Sequence, residues 1–249
     1  MDLLAKFEQT ARTHADKPAF HYFDRTIWRT LTYGEILTQT HRFLLGLQAC
    51  QLTPGMSAAV MTPPSVNFFP FAIALLKFGV IPIILDPAIG LKKVGEILEE
   101  SQPDIFIGNS LTHALRIIFG WGRDSVKHSL SISKIESGKW GVENDFPLST
   151  FHPITNHHLP STTSAAIIYT SGSTGLPKGA IYTQTNLAAQ LNLLQNTFDI
   201  TSDEIDLPAF PLYALIDLLI GVTSIIPDIT FPIPAKTDPQ KIITAIQKF

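Results

Sequence analysis

The sequence predicts an α/β fold on a largely parallel, doubly wound sheet. Short apolar runs rich in Val and Ile recur between segments of helical periodicity, the pattern of strands covered on both faces by crossover helices. Several helix boundaries carry capping chemistry. Of 249 residues, 45% are hydrophobic and only 16% charged, which suits a large buried core and is too apolar for a disordered chain.

The elements follow in order. Thr32 and Glu35 form a capping box, and Ile36, Thr40, Phe43, Leu44 and Leu47 continue at helical spacing up to Cys50. A turn at Thr53 to Gly55 precedes the strand SAAVM. Ser65, behind two prolines, reads as the N-cap of a helix that Gly79 closes. The strand VIPIIL leads to Asp86, Val94 to Ser101 reads as a helix, DIFIG as a strand and SLTHALRIIFG as another helix. Residues 131–163 lack periodicity and are rich in Ser, Thr, Asn, Pro and His, so they read as a connector with room for a short strand. The pattern resumes with AAIIYT, a glycine-rich loop, GAIYT and a helix from near Asn186 toward Phe198. Asp238 caps a last helix that has Pro239 at its first position.

This order divides the chain into a first α/β lobe (1–130), the connector (131–163), and a third part (164–249) with the loop strands and the start of a second lobe. A parallel pattern that ends on a helix calls for a further strand.

The formal net charge of −3 provides no general attraction to nucleic acid, so no nucleic-acid partner is expected and phosphate binding must be local. The start, MDLLAKFEQT, has neither the basic nor the apolar region of a secretory signal, and Cys50 is the single cysteine. That excludes an intramolecular disulfide and a multi-cysteine zinc cluster, and a cytoplasmic location is expected. The apolar runs FFPFAIALLKFGVIPIIL and FPLYALIDLLIGVTSIIP are interrupted by Lys77 and Asp217 and contain prolines. They read as buried helix plus strand rather than membrane spans.

The chemistry concentrates in YTSGSTGLPKGA, Tyr169 to Ala180. Gly172, Gly175 and Gly179 allow positive φ and close approach of backbone to a ligand. Successive amides of such a loop form an anion-binding concavity. Thr170, Ser171, Ser173 and Thr174 add hydroxyls, and Lys178 adds a mobile positive charge. All of these suit a polyphosphate. The Walker pattern fails because Pro177 precedes Lys178 and Gly179 follows it, and the dinucleotide and nucleophile-elbow patterns fail on spacing.

What remains, T-S-G-S-T-G-x-P-K-G, resembles the signature loop of the adenylate-forming (AMP-binding) enzymes: acyl-CoA synthetases, adenylation domains of nonribosomal peptide synthetases, and luciferases. At average residue usage the pattern arises by chance on the order of 10⁻¹¹ times per start site. KPAF, TLTYGEI, FAIALLKFGVIPIILDP and FPLYALIDLLIG fall in the order of that family's N-terminal domain, so the resemblance covers essentially the whole chain. LDPAIGLKKVGEILEESQPDIFIG and IIFGWGR look most like the fatty-acid-CoA ligase-like, β-lactone-forming enzymes of bacterial olefin biosynthesis.

The resemblance implies attack of a carboxylate on the α-phosphate of ATP, with Mg²⁺, to form acyl-adenylate and pyrophosphate. Transfer to coenzyme A or closure of a β-lactone would follow. It assigns the β- and γ-phosphates to Thr170, Ser171, Ser173, Thr174, Lys178 and the amides of Gly172, Gly175 and Gly179. Phe210, Leu212, Tyr213 and Ala214 become acyl-pocket candidates.

Two positions depart from the common family pattern. Tyr213–Ala214 stands where many members have an aromatic followed by histidine, and Gln184 where histidine is common. No Y-G-x-T-E-like, T-G-D-like or lid-lysine motif occurs. The chain therefore reads as the N-terminal part of a longer enzyme, without the C-terminal lid domain and without a metal site, whose catalytic residues are unknown and expected beyond Phe249. A complementing second half or a homo-oligomer would be its macromolecular partner. The alternative is a non-catalytic nucleotide- or acyl-binding module.

The histidines His152, His157 and His158 read as loop residues rather than metal ligands, because they lack helical H-x-x-x-H spacing and cysteine partners. Asp86 reads as a turn cap before Pro87, although strand ends in open α/β sheets also hold sites. Asp217 reads as a paired core acid, with a tunnel position the other reading.

Overall fold

The computed structural model describes residues 3–24, 26–62, 65–85, 89–137, 164–170, 178–208, 211–230 and 234–249. The chain begins with α1 (Leu3–Thr13), β1 (Pro18–Asp24), β2 (Ile27–Thr32), α2 (Tyr33–Ala49) and β3 (Ser57–Met61). Then come α3 (Phe68–Phe78), β4 (Ile81–Ile84), α4 (Leu91–Ser101), β5 (Ile105–Gly108), α5 (Ser110–Phe119), β6 (His128–Ser131) and α6 (Ile132–Ser137). The last part holds β7 (Ser164–Thr170), β8 (Lys178–Thr183), α7 (Gln184–Phe198), β9 (Ile205–Asp206), α8 (Pro211–Ile220), β10 (Thr223–Ile226) and α9 (Pro239–Lys248).

These elements group into two compact units that interleave in sequence: Met1–Gln39, Pro64–Pro70 and Asn186–Phe249 in one, Thr40–Pro63 and Phe71–Thr185 in the other. From the sequence, the lobes are expected one after another along the chain; the units instead each draw on distant parts of it, because each is built around its own sheet.

The first unit has a four-stranded sheet in the order β2-β1-β10-β9. β1 pairs parallel with β10 and antiparallel with β2, and β10 pairs parallel with β9. The β1–β2 hairpin escapes the sequence patterns because β2 is mostly exposed and its apolar residues do not form a run. Phe7, Phe20 and Leu218 are buried here, and Phe20 stacks on Phe69 with ring centroids 4.5 Å apart. The capping box forms as expected. The Thr32 amide donates to Glu35 Oε2 at 2.7 Å and the Glu35 amide to Thr32 Oγ1 at 3.3 Å. Asp238 accepts from the Gln240 amide at 2.9 Å, with Pro239 at the start of α9.

The second unit has a six-stranded sheet in the order β6-β5-β3-β4-β7-β8, parallel except for β8 at one edge. This is the largely parallel sheet the sequence predicts. Its core joins Ala59, Met61, Ile83, Val94, Ile97, Leu98, Phe106 and Tyr169. The last residue of β6 and all of α6 occupy the first part of the expected connector; residues 138–163 lie outside the described residues.

One boundary differs. α3 starts at Phe68, two residues beyond Val66, where a Ser65 cap would open it. A helix capped at Ser65 would put Pro70, which has no N–H, where an internal hydrogen bond is due; starting at Phe68 leaves Pro70 in the first turn, where none is needed. Gly79 closes the helix at φ 83°, with its amide and that of Val80 both donating to Leu75 O. Both long apolar runs form helix plus strand, α3–β4 and α8–β10. Among the described residues no helix is long and apolar enough to cross a membrane.

Candidate functional site

β7 runs parallel to β4, so its carboxyl end lies at the same side of the sheet as the ends of β3, β4 and β5. In open α/β sheets ligands bind outside these carboxyl ends. β8 returns antiparallel from that side, and the ladder pairs Tyr169 with Gly179 and Thr170 with Lys178. The segment Ser171 to Pro177 therefore springs from two adjacent strand ends held in register. Ser171, Gly172, Ser173, Thr174 and Gly175 lie outside the described residues, whereas Thr170, Lys178 and Gly179 form the mouth of the loop.

The two sides of this mouth differ in character. Tyr169 is buried in the core of its unit, with 8% of its surface exposed. A Cβ at Gly179 would lie 2.9 Å from Tyr169 Cζ and 3.1 Å from Ile167 Cγ2, so the ring occupies the space any other side chain there would need. Lys178, one residue along β8, is exposed, as a mobile cation that reaches a phosphate must be. Sequence reasoning finds Gly179 through its motif and misses Tyr169, whose only signal is an aromatic directly before the loop.

The acyl-pocket candidates belong to α8 and its approach, in the first unit. Tyr213 is 52% exposed and Ala214 fully buried. Phe210 lies outside the described residues, as do the surroundings of the Leu212 side chain. One turn beyond Tyr213, Asp217 is buried and accepts a hydrogen bond from Ser224 Oγ at 2.8 Å. Burial pushes its carboxyl up to about 7; the Ser224 hydrogen bond opposes this and the Asp206 carboxyl adds to it. The structure thus takes the core-acid reading of Asp217. Close by, the buried Tyr33 hydroxyl donates to Val222 O at 2.8 Å. Its ionisation is raised by burial and then by Asp217.

No group of three or more His, Cys, Asp or Glu side chains among the described residues is arranged to hold a metal ion. Asp86 and the histidines His152, His157 and His158 lie outside those residues.

A glycine-rich, hydroxyl-rich segment that joins paired strands at the carboxyl side of a parallel sheet is an arrangement that α/β proteins use to bind nucleotides. The chain belongs to the AMP-binding enzyme family, which it matches over residues 7–248. It is 34% identical over 223 residues to the olefin beta-lactone synthetase of Stenotrophomonas maltophilia strain K279a, across 88% of this chain and 40% of that relative. The chain thus spans about 40% of the length of the curated relatives it matches.

The fold is that of solved adenylate-forming enzymes. A fatty acyl-adenylate ligase from L. pneumophila, in complex with acyl adenylate and pyrophosphate, matches with TM-score 0.77 and 20% identity over 99% of this chain and 42% of that one. The inhibitor-bound N-terminal domain of FACL13 from Mycobacterium tuberculosis matches with TM-score 0.79 and 18% identity over 99% and 60%.

Proposed function

We propose that the protein takes part in ATP-dependent activation of a long-chain or β-hydroxy fatty acid as its acyl-adenylate. The substrate carboxylate attacks the α-phosphorus of Mg²⁺-bound ATP and pyrophosphate leaves. The role of the loop is electrostatic: Thr170, Ser171, Ser173, Thr174, Lys178 and the amides of Gly172, Gly175 and Gly179 hold the β- and γ-phosphates as negative charge builds on the departing group. Tyr213 and Ala214, with Phe210 and Leu212, are the candidates for the acyl chain.

The similarity to olefin beta-lactone synthetase supports ring closure as the second step. The substrate's β-hydroxyl oxygen attacks the activated acyl carbon, loses its proton and displaces AMP. Coenzyme A is the competing acceptor and would give a thioester.

The carrying observation is the register that holds Lys178 beside the end of β7 at the carboxyl side of the sheet. ATP–pyrophosphate exchange with long-chain and β-hydroxy acids tests the reading. The chain alone is expected to give background exchange, since the Y-G-x-T-E-like, T-G-D-like and lid-lysine motifs are missing from its sequence. Supplied with the C-terminal remainder of an olefin beta-lactone synthetase, it is expected to give exchange dependent on the fatty acid. Thioester formation on addition of coenzyme A would overturn the lactone step, and exchange driven only by amino acids would overturn the substrate class. The same missing motifs favour a second reading, a non-catalytic nucleotide- or acyl-binding module, which predicts thermal stabilisation by ligand without turnover in any combination.

A further inference from the structure

We propose that Tyr169 is a positioning residue for the phosphate loop: its ring, packed in the place of a side chain at Gly179, sets the spacing and register of the two strand ends that carry the loop. The inference rests on the phosphate-holding reading above.

Three observations carry it. Tyr169 and Gly179 are cross-strand partners one step from the loop, so any shift of one is passed directly to Thr170 and Lys178. The fit is tight, because a Cβ at Gly179 would meet both Tyr169 Cζ and Ile167 Cγ2 at distances real Cβ contacts avoid. The ring therefore abuts the β8 backbone itself. Its far end lies beside Ser101 in the last turn of α4, where Ser101 Oγ donates to Ile97 O at 2.6 Å. Around the ring, Ile83, Val94, Ile97 and Leu98 close the core, and close-packed interiors transmit displacement rather than absorb it.

A two-stranded pair at a sheet edge is otherwise free to twist and slip, and β8 is the edge strand among the described residues. The aromatic wedge removes that freedom where the loop begins. Gly179 accordingly has a packing reason to lack a side chain, separate from any contact of its amide with phosphate. Lys178 directly precedes Gly179 on β8, so the ring that fixes the Gly179 backbone also fixes the strand end that carries the exposed cation.

The test measures ATP and AMP affinities of the 249-residue chain by calorimetry, with thermal unfolding recorded on the same samples. The readout is the ratio of ATP to AMP affinity, which isolates the contribution of the β- and γ-phosphates. Gly179→Ala is expected to lower that ratio about tenfold, and Tyr169→Leu, which removes the ring that packs against Gly179, about threefold. Tyr169→Leu keeps an apolar side chain in the core, so it decides the matter if Gly179→Ala does not fold.

Equal loss of ATP and AMP affinity alongside a lowered melting temperature would mark a merely structural role and overturn the proposal. So would variants that keep the wild-type ratio while Lys178→Ala abolishes it, an outcome that leaves the phosphate-holding reading intact. A wild-type chain with no preference for ATP over AMP would remove that reading and the proposal together.

Discussion

Asp217 and Ser224 meet inside the first unit, the Ser224 hydroxyl donating to Asp217 Oδ2 at 2.8 Å, with Asp206 beside them on β9. A carboxyl in that setting favours its protonated form, and its ionisation lies near pH 7 instead of near 4. The folded state therefore binds a proton that the unfolded chain releases between about pH 4 and pH 7. Stability from this group is full below about pH 4 and is lost as pH rises toward 7, at most about 1.4 kcal/mol per pH unit. Asp217→Asn imitates the protonated form and is expected to remove this slope and to exceed the wild type above pH 7. Urea unfolding midpoints of both proteins between pH 4.5 and 8 check it; parallel profiles would refute it.

Tyr33 offers a second measurement in the same unit. It is fully buried, and its hydroxyl donates to Val222 O at 2.8 Å, tying the start of α2 to the residue before β10. Tyr33→Phe leaves that buried carbonyl without its partner and is expected to cost about 1–3 kcal/mol. Chemical denaturation measures the loss, and a cost near zero would mean that water replaces the hydroxyl.

The capping box of α2 is local and exposed, so its cost should be smaller. Thr32→Ala is expected to destabilise by about 0.5–2 kcal/mol. Glu35→Ala removes only the acceptor for the Thr32 amide and should cost less than Thr32→Ala in the same unfolding experiment.

Lys178 tests the site instead of the fold. Its side chain is exposed at the first position of β8, so Lys178→Ala should leave the melting temperature nearly unchanged, as exposed substitutions do to within about 0.5 kcal/mol. Its effect should fall on phosphate binding: affinity for ATP is expected to drop about tenfold or more with AMP affinity retained. Calorimetric titration with both nucleotides decides it.

The amino-acid sequence by itself determined what depends on near neighbours in the chain. Helix starts at Thr32 and Asp238, the close at Gly79, the buried strands, and the glycine loop with its hydroxyls and Lys178 were all legible, because capping, turn formation and hydrophobic periodicity act over a few residues. The family resemblance was legible for the same reason, since its signature is one contiguous loop. The tertiary structure alone decided matters of register and distant pairing. It separated the strands into two sheets by joining β10 to β1, put Gly179 against the Tyr169 ring, and brought Ser224 and Asp206 to the carboxyl of Asp217. Such pairings depend on which strand lies beside which and in what register, and a slip of one residue in β8 would turn Lys178 toward the face on which Tyr169 is buried.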